Sequence, residues 1–161
     1  MTSLLKSSFS NVTAILQKNN AKIVPKTEFL MRFDGCSKGN PGFAASGAVI
    51  YQNDVEIWAG SKLVGYNETN NYAEYMGLIM GLNKAIELNI TELTVEGDSM
   101  LIIKQMNGEN KVKSPNLIEL YKFADNLKTK FTHITFSHIY RNFNTRADEL
   151  CNLEIDKNGS M

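Results

Sequence analysis

FLMRFDGCSKGNPGFAASGAVIYQNDVEIWAGSKLV, residues 29–64, reads as three consecutive strands. Residues 29–34 form the first and 43–52 the second. Asn53-Asp54 then turns the chain into a third, 55–64, making a hairpin. Downstream the pattern changes. Residues 70–88 predict a long helix, and 93–97 a strand that runs directly into Asp98. A helix from 99 to about 107 follows and is stopped by Gly108. Ser114-Pro115 is a helix start, an N-cap residue with Pro at the first helical position. Behind it Leu117, Leu120, Tyr121, Ala124, Leu127 and Phe131 recur at helical spacing, which marks that stripe as core. A last strand is expected at 134–140 and a last helix from 145 to about 157. Three strands in a row, then alternating helix and strand, predict an α/β fold with a five-stranded mixed sheet flanked by helices.

At 161 residues the chain is long enough for one domain with a sizeable core, and its 43% apolar content is that of a globular protein. Residues 1–27 read as an N-terminal extension, flexible or with one short helix, joined near Pro25 to a domain spanning 28–161. Lys+Arg 17 balances Asp+Glu 17, so the whole chain lacks the basic footprint of a non-specific nucleic-acid binder. The charge is uneven, however: Lys6, Lys18, Lys22 and Lys26 precede the first acid, Glu28. Two cysteines, Cys36 and Cys151, match neither a disulfide framework nor a zinc spacing. They read as reduced thiols of a cytoplasmic or nuclear protein. The acid-free, Ser-rich start MTSLLKSSFSNVTAILQ leaves organellar targeting as an alternative. No membrane span is expected, since nothing approaches ~18 consecutive apolar residues.

Four acids stand at strand or helix ends: Asp34 in FDGCSKGNPG, Glu74 in TNNYAEYMGL, Asp98 in TVEGDSMLI and Asp148 in NTRADELCN. Taken singly, three of them have structural explanations. Asp34-Gly35 reads as a turn pair, Asp98 as a helix N-cap, and Asp148 with Thr145 as a capping box. Glu74 is different. Its helix is apolar nearly all round from Tyr72 to Leu82, so the carboxylate is expected to be buried, away from the polar Asn83, Lys84 and Glu87. A buried carboxylate needs a cation, a hydrogen-bond network or a raised pKa. In α/β sheets, sites gather at the carboxyl ends of parallel strands, where one pocket can hold all four acids. Four clustered acids resist full ionisation unless a hard divalent ion sits among them, and such ions activate water and stabilise a departing phosphate-ester oxygen. The expected chemistry is metal-dependent cutting of a nucleic-acid backbone.

These segments, FDGCSKGNPG, TNNYAEYMGLIMGL, VEGDSMLIIKQMNG with KVKSPNLIELY, and YRNFNTRADELCN, closely resemble type 1 ribonuclease H over about residues 29–154. The resemblance is to the compact archaeal and bacterial-type members without a basic protrusion, whose charge Lys104, Lys111 and Lys113 would partly replace. It implies an RNase H-like fold, three antiparallel strands followed by parallel ones. It also implies that Asp34, Glu74, Asp98 and Asp148 are catalytic and hold two Mg²⁺ ions, with Mn²⁺ as a substitute. The implied substrate is the RNA strand of an RNA–DNA hybrid, cut internally to leave 5′-phosphates, with double-stranded RNA a second candidate and a monomer expected. Gly35, Cys36, Ser37 and Asn40 would line the RNA strand. Asn70 and Asn71 would reach bases or sugars in the minor groove, where short amides suit 2′-OH contacts. Glu74 would also accept from the 2′-OH beside the scissile phosphate.

Many family members carry a mobile His before the last Asp, whereas this chain has Arg141 in YRNFNTRAD. His138 falls within the last expected strand and reads as a strand residue. Arg141 could hold a phosphate bidentately instead. One rival reading is a catalytically inactive hybrid-binding or interaction domain on the same fold, against which stands the presence of all four acids. A proofreading-type exonuclease would carry Asp-x-Glu on its first strand, and here Gly35-Cys36 follow Asp34. A nucleotide-binding loop is excluded because GNPG lacks the Gly-Lys-Ser/Thr signature and a following helix.

Overall fold

A computed structural model describes residues 28–159, so the expected extension at 1–27 lies outside the described residues. The elements run β1 (Phe29–Gly39), β2 (Gly42–Gln52), β3 (Val55–Glu68), α1 (Asn70–Glu87), β4 (Glu92–Gly97), α2 (Met100–Met106), α3 (Pro115–Lys128), β5 (His133–His138), a 3-10 turn (Arg141–Phe143) and α4 (Thr145–Gly159). The five strands form one sheet in the order β3-β2-β1-β4-β5. β1, β2 and β3 pair antiparallel, and β4 runs parallel to both β1 and β5.

Every expected element is present, with boundary corrections that matter for the site. β1 does not end at Asp34: its antiparallel pairing with β2 continues to Gly39↔Gly42. Its parallel pairing with β4 stops at Phe33↔Gly97, because the chain leaves β4 there to start α2. Asp34 is thus the first β1 residue past a fork in the sheet, not part of a turn. β3 extends to Glu68, and β5 is shifted to 133–138, ending level with Gly97 through the pair Gly97↔His138. The carboxyl ends of β4 and β5 therefore coincide beside the point where β1 passes the fork.

Strand alternation assigns the two faces. Ser46, opposite Gly35, donates from Oγ to Ala73 O at 2.6 Å, which places both on the α1 face. Gly47, opposite Asp34, has its missing Cβ position 2.5 Å from Ala147 O, which places that pair on the α4 face. Met31 and Phe33 share the face of Gly35 and are fully buried with Leu78, Leu82, Leu93 and Val95. At roughly 1.5–3 kcal/mol per fully buried large apolar side chain, this cluster is the main source of stability. The α3 stripe is core as expected: Leu117, Ala124 and Leu127 are buried, and Leu120 and Tyr121 pack against them.

Candidate active site

The caps of α1 and α2 are supplied by residues other than the acids. Ser99, not Asp98, caps α2, its Oγ accepting from Ile102 N at 3.3 Å. The N-cap reading of Asp98 is therefore replaced. Thr69 caps α1, accepting from Tyr72 N at 3.1 Å, and Glu74 follows one turn later. Thr145 is itself the first residue of α4, and the Asp148 N–H donates to Asn144 O at 3.2 Å, so the expected capping box does not describe this helix start.

Asp34, Glu74 and Asp98 converge, each offering a carboxylate oxygen within 4.8 Å of the others. Asp34 is 4% and Glu74 7% exposed, while Asp98 is half-buried. The burial expected for Glu74 is borne out, and its Oε2 has no hydrogen-bond partner. Burial pushes the Asp34 carboxyl up to about 7. A hydrogen bond with Glu74 and the Gly35 N–H pull it down, and the charges of Asp98 and Asp148 push it up. Glu74 lies well above the usual carboxylate range, first through burial and then through the charge of Asp34 beside it. Asp148 stands apart. It is half-buried in the first turn of α4, near enough for its charge to act on Asp34, but outside the three-acid group.

A cleft of about 510 Å³ opens over this group, lined by Asp34, Gly35, Cys36, Ser37, Asn70, Glu74, Asp98 and Arg141 among others. Asn40 and Asn70 brace its rim: Asn70 N donates to Asn40 Oδ1 at 3.1 Å, and Ser37 N donates to Asn70 Oδ1 at 2.8 Å. The Ser37 hydroxyl donates to Glu68 O at 2.8 Å. Asn71 is half-buried and does not line the cleft. Interaction with the neighbouring Cys151 thiol of α4 lowers the Cys36 pKa and raises that of Cys151, and both cysteines are free. His138 ends β5, where its Nε2 lies 3.2 Å from Asp98 O.

Four residues of this site lie outside the sequence-based expectations. Lys38, Asn152 and Ile155 line the cleft. Asn144 is fully buried, and its Nδ2 donates to Phe33 O at 2.9 Å and to Asp98 Oδ2 at 3.0 Å. Lys38 was legible, lying inside FDGCSKGNPG; Asn144 looked like one more polar residue before a helix.

Residues 32–154 match the family model described as reverse transcriptase-like. The chain is 45% identical over 124 residues to the bifunctional protein Rv2228c of Mycobacterium tuberculosis, covering 76% of this chain and 34% of that protein. It thus spans about a third of the length of that relative. The solved N-terminal RNase H domain of Rv2228c superposes with a TM-score of 0.78 at 40% identity, covering 82% of this chain and 96% of that one. Ribonuclease HI of Halobacterium salinarum is 36% identical over 148 residues, 91% of this chain and 71% of that protein. LC11-RNase H1, a compost metagenome protein solved in complex with RNA/DNA hybrid, matches at TM-score 0.75 and 37% identity, covering 80% of this chain and 97% of that one.

Proposed function

Because this chain belongs to the type 1 ribonuclease H family, we propose that it hydrolyses the RNA strand of RNA–DNA hybrids, cutting internally and leaving 5′-phosphate ends. The observation that carries this reading is the three-acid group of Asp34, Glu74 and Asp98, with oxygens within 4.8 Å of one another. Its donor set suits a hard divalent cation, since all three ligands are carboxylate oxygens. Glu74 Oε2 is buried without a partner, and burial holds Asp34 protonated up to about 7, two deficits that a cation relieves together. Asp34, Glu74 and Asp98 would hold Mg²⁺, Asp148 would complete the set for a second ion, and Mn²⁺ would substitute. When bound, such ions lower the pKa of an attacking water and offset charge on the departing 3′ oxygen.

The chain's own groups bind and discriminate. Glu74 accepts from the 2′-OH beside the scissile phosphate, which tells RNA from DNA. Asn70, held by Ser37 and Asn40, keeps its Nδ2 out of those two bonds and donates to the hybrid's minor groove. Arg141 at the cleft wall holds a phosphate. Cleavage of matched RNA–DNA, RNA–RNA and DNA–DNA duplexes, each with Mg²⁺, Mn²⁺ or EDTA, tests the reading. Metal-dependent cutting of the hybrid's RNA strand is expected, and cutting of RNA–RNA extends the substrate range. No cutting of any duplex with metal present would leave a hybrid-binding module.

A further inference from the structure

We propose that Asn144 is a positioning residue that sets the Asp98 carboxylate against Asp34. This inference rests on the metal-site reading above. Asn144 is fully buried, and its side-chain amide lies between two acceptors on different segments of the chain. One is Phe33 O, the carbonyl immediately before Asp34, at 2.9 Å. The other is Asp98 Oδ2 at 3.0 Å. The Phe33 carbonyl can only accept, so the amide orientation is fixed: Nδ2 must face it, which leaves the second amide proton for Asp98 Oδ2. The opposite flip would set a carbonyl oxygen against two oxygens.

The position in the fold explains why such a link is needed. Phe33↔Gly97 is the last pair between β1 and β4, so beyond it no ladder bond holds Asp34 and Asp98 at a fixed separation. Asn144 spans that fork with its side chain, and its backbone carbonyl accepts the Asp148 N–H at 3.2 Å. One residue therefore bonds Asp98 directly, the residue preceding Asp34, and the backbone of Asp148. Its own segment is tied down as well, since Arg32 Nη1 donates to Phe143 O at 3.4 Å while Arg32 Nε pairs with Glu96 Oε1 at 3.0 Å. A helix cap serving stability alone would not require the side chain to bond an acid of the site. Asn144 Oδ1 is buried without a partner, a cost accepted where the donor side of the amide is required.

Asn144→Asp preserves shape and replaces the donor by an oxygen. Mn²⁺ affinity is measured by electron paramagnetic resonance without substrate, alongside kcat and KM on a hybrid and the melting temperature. The expected result is a folded variant whose Mn²⁺ dissociation constant rises at least about tenfold. Its kcat should fall about 100-fold or more, with KM within about threefold of wild type. If this variant does not fold, Asn144→Ser, which can satisfy one acceptor but not both, is measured the same way with the same expectation. Wild-type Mn²⁺ affinity or wild-type kcat in a folded variant overturns the proposal, and so does failure of both variants to fold, which would make Asn144 structural only. Wild-type protein that binds no Mn²⁺ would instead overturn the metal-site reading itself.

Discussion

A Cβ on Gly35 would stand 2.2 Å from the backbone nitrogen of Glu74: α1 rests directly on β1 at the point where the two acids meet. The close approach lets the buried Glu74 carboxylate reach Asp34 on the neighbouring strand position. Gly35→Ala would strike backbone atoms of Glu74 and Ala73, which cannot yield as a flexible side-chain end can. The expected cost is about 3 kcal/mol or more, read as a drop in melting temperature of roughly 6–12 °C. Gly108→Ala meets nothing within 4 Å and bears only its left-handed φ of +75, so it should cost about 1 kcal/mol. Equal losses at the two positions would mean that the helix–strand approach is not tight.

Asp34→Asn keeps side-chain size and removes a charge from the centre of the three-acid group. Asn40, Asn70 and Arg141 are untouched and repulsion toward phosphate is reduced. Cleavage should become undetectable while hybrid affinity, measured by fluorescence anisotropy, stays at least at the wild-type level. Asp54→Asn in the β2–β3 turn should leave cleavage unchanged. A near-normal rate for Asp34→Asn would mean that the cluster is structural.

Metal-free protein should lose stability as pH rises. Asp34 is held protonated up to about 7 in the folded state, against 3.8 as the reference for the unfolded chain. Between those values the folded state binds a proton that the unfolded state does not, so the unfolding free energy falls with pH and levels off above about 7. Glu74, raised in the same direction, adds to the effect. Thermal melts at pH 5 and pH 8 should show the lower melting temperature at pH 8. Mg²⁺ should restore several degrees at pH 8 and little at pH 5, where protons compete. Asp34→Asn should flatten the profile. A melting temperature that rises from pH 5 to pH 8 without metal contradicts the buried-carboxyl account.

Hybrid affinity should weaken as salt rises if the cleft-lining Arg141 and the exposed Lys111 and Lys113, which line a separate depression beside Leu101, contact phosphates. Substituting Lys111 and Lys113 together by Ala should reduce the slope of log affinity against log salt by about one for each phosphate that is no longer neutralised. An unchanged slope would show that these lysines point away from the hybrid.

A chain truncated to residues 28–161 retains every acid of the site. It should fold, bind Mg²⁺ and cleave at saturating substrate, with a weaker Michaelis constant if the four early lysines touch nucleic acid. A folded truncation unable to cleave would move the domain boundary upstream.

The sequence by itself determined the order and type of the elements, because hydrophobic periodicity and start signals such as Ser114-Pro115 are local properties. It also marked the four acids and the burial of Glu74, which follows from an apolar helix surface. What only the tertiary structure decided is where segments distant in the chain come to lie. Asp34 marks a fork because β4 leaves the sheet beside it, and that depends on the long-range register Phe33↔Gly97. Asp148 lies outside the tight group, and Asn144 bonds Asp98 across 46 positions of sequence. Such pairings carry no local signature, since a buried amide and a surface amide are the same letter until the fold sets what surrounds them.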